Sequence, residues 1–229
     1  MRYCKSLELY DYSTSDNFDH IRNIRNILTG KNLPCPFGHE HRTWEYGMAL
    51  SALRENRTRT VLDVGGGASP FAIAAIWTGM KVLQLDPGHW QEAIQAQSLG
   101  LNMELPFTNI DFMDFPKKHK YDAVTCISVI EHIPPPQDEP FFLKLLSHIR
   151  PGGMLFLTTD FHPSGKGVFD GHERTFNAES MLRLIELGEE HGFSVWGDQP
   201  DYHHFMPVIF DKYSFAALAL RKHEARTVR

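Results

Sequence analysis

From residue 59 onward the chain alternates short apolar, β-branched runs with segments whose apolar positions recur at helical spacing. The runs predict strands over Thr60–Val64, Lys81–Leu85, Tyr121–Ile127 and residues 154–159, with a weaker strand ending near Asp111. The intervening segments predict helices over residues 70–78, 89–99 and 139–149. In the last of these Phe141, Leu145 and Ile149 repeat every four residues, as a core-facing stripe does, and Pro140 falls in the first turn, where a missing N–H costs nothing. Strand and helix in strict alternation imply a parallel sheet with crossover helices.

After the fifth strand the pattern changes. Asn177 is placed to cap a helix that runs to His191, with Gly192 closing it. Residues 193–196 and 213–221 then read as two strands joined by a loop without a helix-length periodic stretch, so they pair antiparallel. The expected architecture is an α/β sheet of seven strands, mainly parallel, ending in an antiparallel hairpin. Ahead of it, Phe18, Ile21, Ile24, Ile27 and Leu28 form one apolar stripe of a helix for which Ser15 is a candidate N-cap. A second helix is predicted from residue 43 to about 55, and residues 30–42, with two prolines and two glycines, read as a loop. Residues 1–58 are expected to form a helical cap or lid over the ligand edge of the sheet, with residues 59–229 as the main domain. The stripe of the first helix is also a candidate oligomer contact.

Composition narrows the function classes. Apolar residues make up 42% and charged residues 22%, enough for a sizeable core. A net charge of −5 and a pI near 6.2 offer no basic field for nucleic acid, and no nucleic-acid partner is expected. The longest unbroken apolar run, residues 71–77, is too short to cross a membrane. The opening residues are polar and acidic after Lys5 and carry no signal-peptide core, which points to a cytoplasmic protein. Cys4, Cys35 and Cys126 are odd in number and widely spaced, against a disulfide framework. Cys35, His39 and His41 lack the second ligand pair of a structural zinc site, so no metal is expected.

The strongest chemical signal is Val61-Leu62-Asp63-Val64-Gly65-Gly66-Gly67-Ala68-Ser69-Pro70, a strand running through a glycine turn into a helix. Glycines let a backbone turn tightly and approach a ligand. Dinucleotide enzymes use such a turn to seat pyrophosphate on a helix N-terminus. Here Pro70 replaces the third glycine of that pattern, and Asp63 would repel a pyrophosphate. A ligand with positive charges and no phosphate suits it better. About 20 residues beyond the glycines the second strand ends in Asp86-Pro87, the spacing at which a carboxylate accepts ribose hydroxyls.

Together these residues resemble the class I, Rossmann-like S-adenosylmethionine-dependent methyltransferases over roughly residues 59–221. Val61–Gly67 matches the family's V-L-D-x-G-x-G segment, with glycine at position 66 where the family often has Cys or Ser. Tyr121-Asp122-Ala123-Val124 followed by Val129-Ile130-Glu131-His132-Ile133 matches its fourth strand and following turn. Arg150-Pro151-Gly152-Gly153 matches the turn before its fifth strand. The resemblance implies S-adenosylmethionine as cofactor and Asp63, Gly65, Gly66, Gly67, Asp86, Pro87 and Ser128 around it. It also implies that Asp111 holds the adenine amino group with Phe112 covering the ring, Asp111 being chosen over Asp114 because Asp114-Phe115-Pro116 suits the start of the next turn. Glu45 is expected to accept from the cofactor's ammonium.

Acid–base candidates gather where open α/β sheets bind ligands, at the carboxyl edge. They are His132 beside Glu131, then Asp160 and His162, with His172 and Glu173 alternatively forming a salt-linked loop with Arg174. Arg42-Thr43-Trp44-Glu45-Tyr46 resembles the segment leading into the first strand of methyltransferases that act on sugars and secondary metabolites, which favours a small-molecule acceptor. Two other function classes stay open: a non-catalytic S-adenosylmethionine-binding interaction protein and a nicotinamide-dependent oxidoreductase.

Overall fold

The computed structural model describes residues 3–8, 16–38, 40–165, 174–207 and 213–224. Ser15, His39, His172 and Glu173 lie outside these, so the N-cap, the central histidine of the Cys35 cluster and the 172–173 pair are not placed.

Among the described residues eight strands, β1 (Lys5–Ser6), β2 (Thr60–Val64), β3 (Lys81–Leu85), β4 (Phe107–Thr108), β5 (Tyr121–Ile127), β6 (Ile149–Phe161), β7 (Phe193–Val195) and β8 (Ser214–Lys222), make one sheet. Its order is β1-β8-β6-β5-β2-β3-β4, with β7 also on β8. Strands β2 to β6 pair parallel, and β8 runs antiparallel to β6 from Met154↔Arg221 to Phe161↔Ser214. The seven expected strands are present in the expected sense, and β1 is an eighth. β1 and β7 share the outer edge of β8, β1 against Ala216 and Ala217 and β7 against Leu220 to Lys222. In β2, Val61, Leu62 and Val64 are all buried, because a parallel sheet is covered on both faces.

The helices are α1 (Asp16–Gly30), α2 (Glu40–Glu55), α3 (Pro70–Trp77), α4 (Gln91–Leu101), α5 (Asp138–Ser147) and α6 (Ala178–Glu190). Asn177 caps α6 reciprocally with Ser180, and Gly192 follows at φ 81°. Several boundaries differ from the sequence pattern, among them the end of β4, at Thr108 and not near Asp111. Helix α2 begins at Glu40, inside the expected loop; α4 lies two residues late; α5 stops at Ser147; and β6 starts at Ile149, carrying the Arg150–Gly153 turn within it as an irregularity in its pairing with β5.

The 1–58 segment is woven into the sheet. β1 pairs with it directly, and α2 packs against β5, β6 and β8 as well as α1 and α3. Every residue from Thr43 to Leu53 is buried. Among the described residues no helix is long and apolar enough to cross a membrane.

Candidate functional site

The sheet order reverses between β2 and β5, and ligands bind outside the carboxyl ends of strands at such a point. A cleft of about 530 Å³ opens there, walled by the turns after β2, β3 and β5 and by Arg42 and Tyr46 of α2.

Asp63 lines the cleft from the end of β2 and is almost wholly buried. Its Oδ1 accepts from Thr125 Oγ1, 2.7 Å away on the paired strand, while Oδ2 has no hydrogen-bond partner among the described residues. Burial pushes its carboxyl up to about 7, against the Thr125 bond and with the help of the Asp86 charge. The turn above needs glycine for reasons of space. A Cβ on Gly66 would lie 2.1 Å from Asp63 Oδ2, and Gly65, at φ 72°, would put one 2.3 Å from Val129. This geometry also accounts for Gly66 where the family often has Cys or Ser. Gly67 lies outside the cleft lining but donates its N–H to Asp86 Oδ2 at 3.1 Å, and Gly88 donates to Oδ1 at 2.7 Å. Two backbone donors thus fix the Asp86 carboxylate in the cleft beside Pro87, while burial pushes its pKa up.

The opposite wall centres on Arg42. It is the only lysine or arginine lining the cleft among the described residues. Burial works against its charge, and Glu45, Glu131 and Asp160 outweigh it, keeping the guanidinium charged. Glu45 is fully buried and does not line the cleft. Its Oε2 accepts from Arg42 Nη1 at 3.1 Å and its Oε1 accepts from Ser128 Oγ and Thr158 Oγ1. Ser128 lines the cleft at φ 49°, a left-handed conformation. Burial pushes the Glu131 carboxyl up to about 8, against a backbone N–H and the Arg42 charge; its Oε2 has no partner among the described residues.

Of the three acid–base candidates, His132 lines the cleft. Asp160 is buried behind it near Arg42. His162 is committed to a turn: its Nδ1 accepts from Ser164 N–H at 3.2 Å and lies 2.7 Å from Ser164 Oγ, with the ring edge-on to Phe205. Asp111 follows β4 by three residues, is exposed, and caps a 3₁₀ turn (residues 112–114) by accepting from Met113 N–H at 2.7 Å. The Phe112 ring is buried against Phe141 and His148, with their centroids 5.3 and 5.5 Å away. That packing sets the ring against α5, and neither Asp111 nor Phe112 lines the cleft.

The three cysteines are free. Cys35 and His41 belong to no cluster of metal-ligand spacing; among the described residues only Glu8, Asp201 and His204 do, and there Lys5 Nζ lies 2.6 Å from Glu8. Arg174 pairs with Asp138 at 2.6 Å. The sequence reading missed Arg42 as a site residue, as well as Phe37 and Trp90, which pack edge to face with centroids 4.9 Å apart in the cleft lining. The signal for Arg42 was its i,i+4 spacing to Tyr46, which puts both on one helix face.

A model of the methyltransferase domain matches residues 39–209, three quarters of the chain. The protein belongs to the methyltransferase-domain family. Among curated relatives, the ubiquinone biosynthesis O-methyltransferase of Citrobacter koseri is 30% identical over 135 residues, 57% of this chain and 52% of that protein. The chain thus spans about half the length of the curated relatives it matches. Among solved structures, an S-adenosylmethionine-dependent methyltransferase from Clostridium acetobutylicum superposes with a TM-score of 0.63 at 10% identity, covering 90% of this chain and 99% of that one. Magnesium protoporphyrin IX methyltransferase from Synechocystis PCC 6803, solved with S-adenosylmethionine, gives 0.62 at 19% identity, covering 93% and 95%. These likenesses establish the Rossmann-like methyltransferase fold.

Proposed function

We propose that this protein moves the methyl group of S-adenosylmethionine to a hydroxyl oxygen or an amine nitrogen of a small molecule. The observation that carries this reading is the buried Asp63 Oδ2, unpartnered among the described residues on the cleft wall, with Asp86 at the other end of the glycine turn. A buried carboxylate without a partner is costly, and a ligand cation relieves it. The same two carboxylates would repel the pyrophosphate of a nicotinamide cofactor, which weighs against the oxidoreductase reading. The donors lining the cleft fit S-adenosylmethionine: Asp63 for the ammonium, Arg42 for the carboxylate and Asp86 for the ribose hydroxyls. When bound, the cofactor supplies a methyl carbon already activated by its sulfonium.

What remains for the protein is positioning and exclusion of water. Tyr46, Val129 and Ile133 give the cleft apolar walls, and Phe37 and Trp90 line it with them. A hydroxyl acceptor has to lose a proton, and His132 on the wall would take it. An amine needs only its lone pair. The names of the ubiquinone-pathway and magnesium protoporphyrin IX enzymes support a small-molecule acceptor, as does the lead-in segment Arg42–Tyr46.

The test is incubation with methyl-labelled S-adenosylmethionine and a panel of phenols, sugars and small amines. Label should enter at least one class, and for a hydroxyl acceptor His132→Ala should slow transfer by about a hundredfold. Cofactor binding with no labelled product from any class would contradict the transfer reading and favour a binding role.

A further inference from the structure

Helix α2 meets the cleft through Arg42 and Tyr46, and Glu45 sits between them, facing inward and fully buried. The Glu45 carboxylate accepts from donors on three parts of the chain: Arg42 on its own helix, Ser128 in the turn after β5, and Thr158 on β6. Ser128 holds a left-handed backbone at φ 49°, which costs a non-glycine residue energy and persists where neighbours over-determine it. Here the Ser128 N–H donates to Thr158 O at 3.1 Å and its hydroxyl to Glu45. Arg42 in turn faces Glu131 and Asp160 as well as Glu45, with the Phe215 ring 5.6 Å below its guanidinium carbon. The hydrogen bond from Arg42 Nη1 to Glu45 orients the guanidinium.

We propose that Glu45 is a positioning residue that fixes Arg42 and the Ser128 turn to receive the amino-acid end of the cofactor, without touching the cofactor itself. The inference rests on the cofactor reading above. It replaces the sequence expectation that Glu45 meets the ammonium. Its signature is selectivity: disturbing Glu45 weakens ligands that carry the amino-acid carboxylate and spares ligands that lack it.

Isothermal titration with three probes tests this: S-adenosylhomocysteine, its deamino analogue, which keeps the carboxylate, and 5′-methylthioadenosine, which lacks the whole amino-acid half. Glu45→Gln should bind the first two about tenfold more weakly than the parent protein, a charge-assisted bond lost, with methylthioadenosine within about twofold. In an Arg42→Met background Glu45→Gln should add no further loss, as coupled residues do. Equal weakening of all three probes would overturn the proposal in favour of a general structural role. Weakening of S-adenosylhomocysteine alone would overturn it in favour of direct contact with the ammonium. If Glu45→Gln melts early, Thr158→Val, which removes one donor to Glu45, is judged by the same pattern, and unchanged affinities there would count against the proposal. Failure of the parent protein to bind any probe would instead refute the cofactor reading.

Discussion

Asp63 and Glu131 are buried carboxyls whose pKa values are pushed up to about 7 and about 8. Their unfolded values stand near 3.8 and 4.5. Between those limits the native state binds more protons than the unfolded one, so stability is full below the unfolded values and falls as pH rises toward 8. Thermal melts of the ligand-free protein should therefore show a midpoint that declines from pH 5 to pH 8. Asp63→Asn should flatten that decline and melt higher than the parent at pH 8; a parent midpoint that rises over this range would contradict the assignment. An ammonium at Asp63 favours its ionised form, so affinity for S-adenosylhomocysteine should rise through pH 7, with proton release visible as a buffer-dependent binding heat. Asp63, Gly65 and Asp86 were legible from sequence because motif spacing along one strand and turn fixes them. Arg42 was not, because its place at the cleft comes from how α2 packs against β5 and β6. The packing of the Phe112 ring was not legible for a related reason: Phe141 and His148, distant in sequence, supply its neighbours.

At the scale of elements, the strands and α3 to α6 were legible because period and punctuation agreed. Helix α2 was expected as part of a cap, and its eleven consecutive buried residues leave no polar face for a period to show. β1 was invisible, since two residues hold no periodicity; what fixes it is partners, with Leu7 N–H donating to Phe215 O at 2.9 Å and Asp201 N–H to Cys4 O at 2.9 Å. Phe18 of α1 is buried against Gly47 of α2, and Phe18→Ala should cost about 3–5 kcal/mol in denaturant unfolding. A loss below about 1 kcal/mol, within the range of surface changes, would mean α1 is not part of the core. We further propose that the lid expected over residues 1–58 narrows to the loop between α1 and α2. Phe37 lines the cleft, and Gln97 donates to Pro34 O at 2.8 Å and Ala68 O at 3.0 Å, tying this loop to the start of α3. Limited proteolysis within residues 31–38 should slow when S-adenosylhomocysteine is added, while α1 and α2 stay protected throughout. Equal cleavage rates with and without ligand would leave the loop as scaffold.

For the molecule as a whole, the sheet brings the turns after β2, β3 and β5 together at one edge, and α2 adds Arg42 and Tyr46 to the cleft they form. That arrangement is the Rossmann-like fold, and we propose that the cleft at its reversal point binds S-adenosylmethionine through acidic and guanidinium side chains. Asp86, held by two backbone N–H donors, is the contact least dependent on the rest of the site. The most direct measurement is calorimetric titration of the folded protein with S-adenosylhomocysteine. Micromolar binding is expected, and Asp86→Ala should weaken it by about 1–3 kcal/mol. No heat of binding from the folded parent protein, or affinity unchanged by Asp86→Ala, would contradict that proposal.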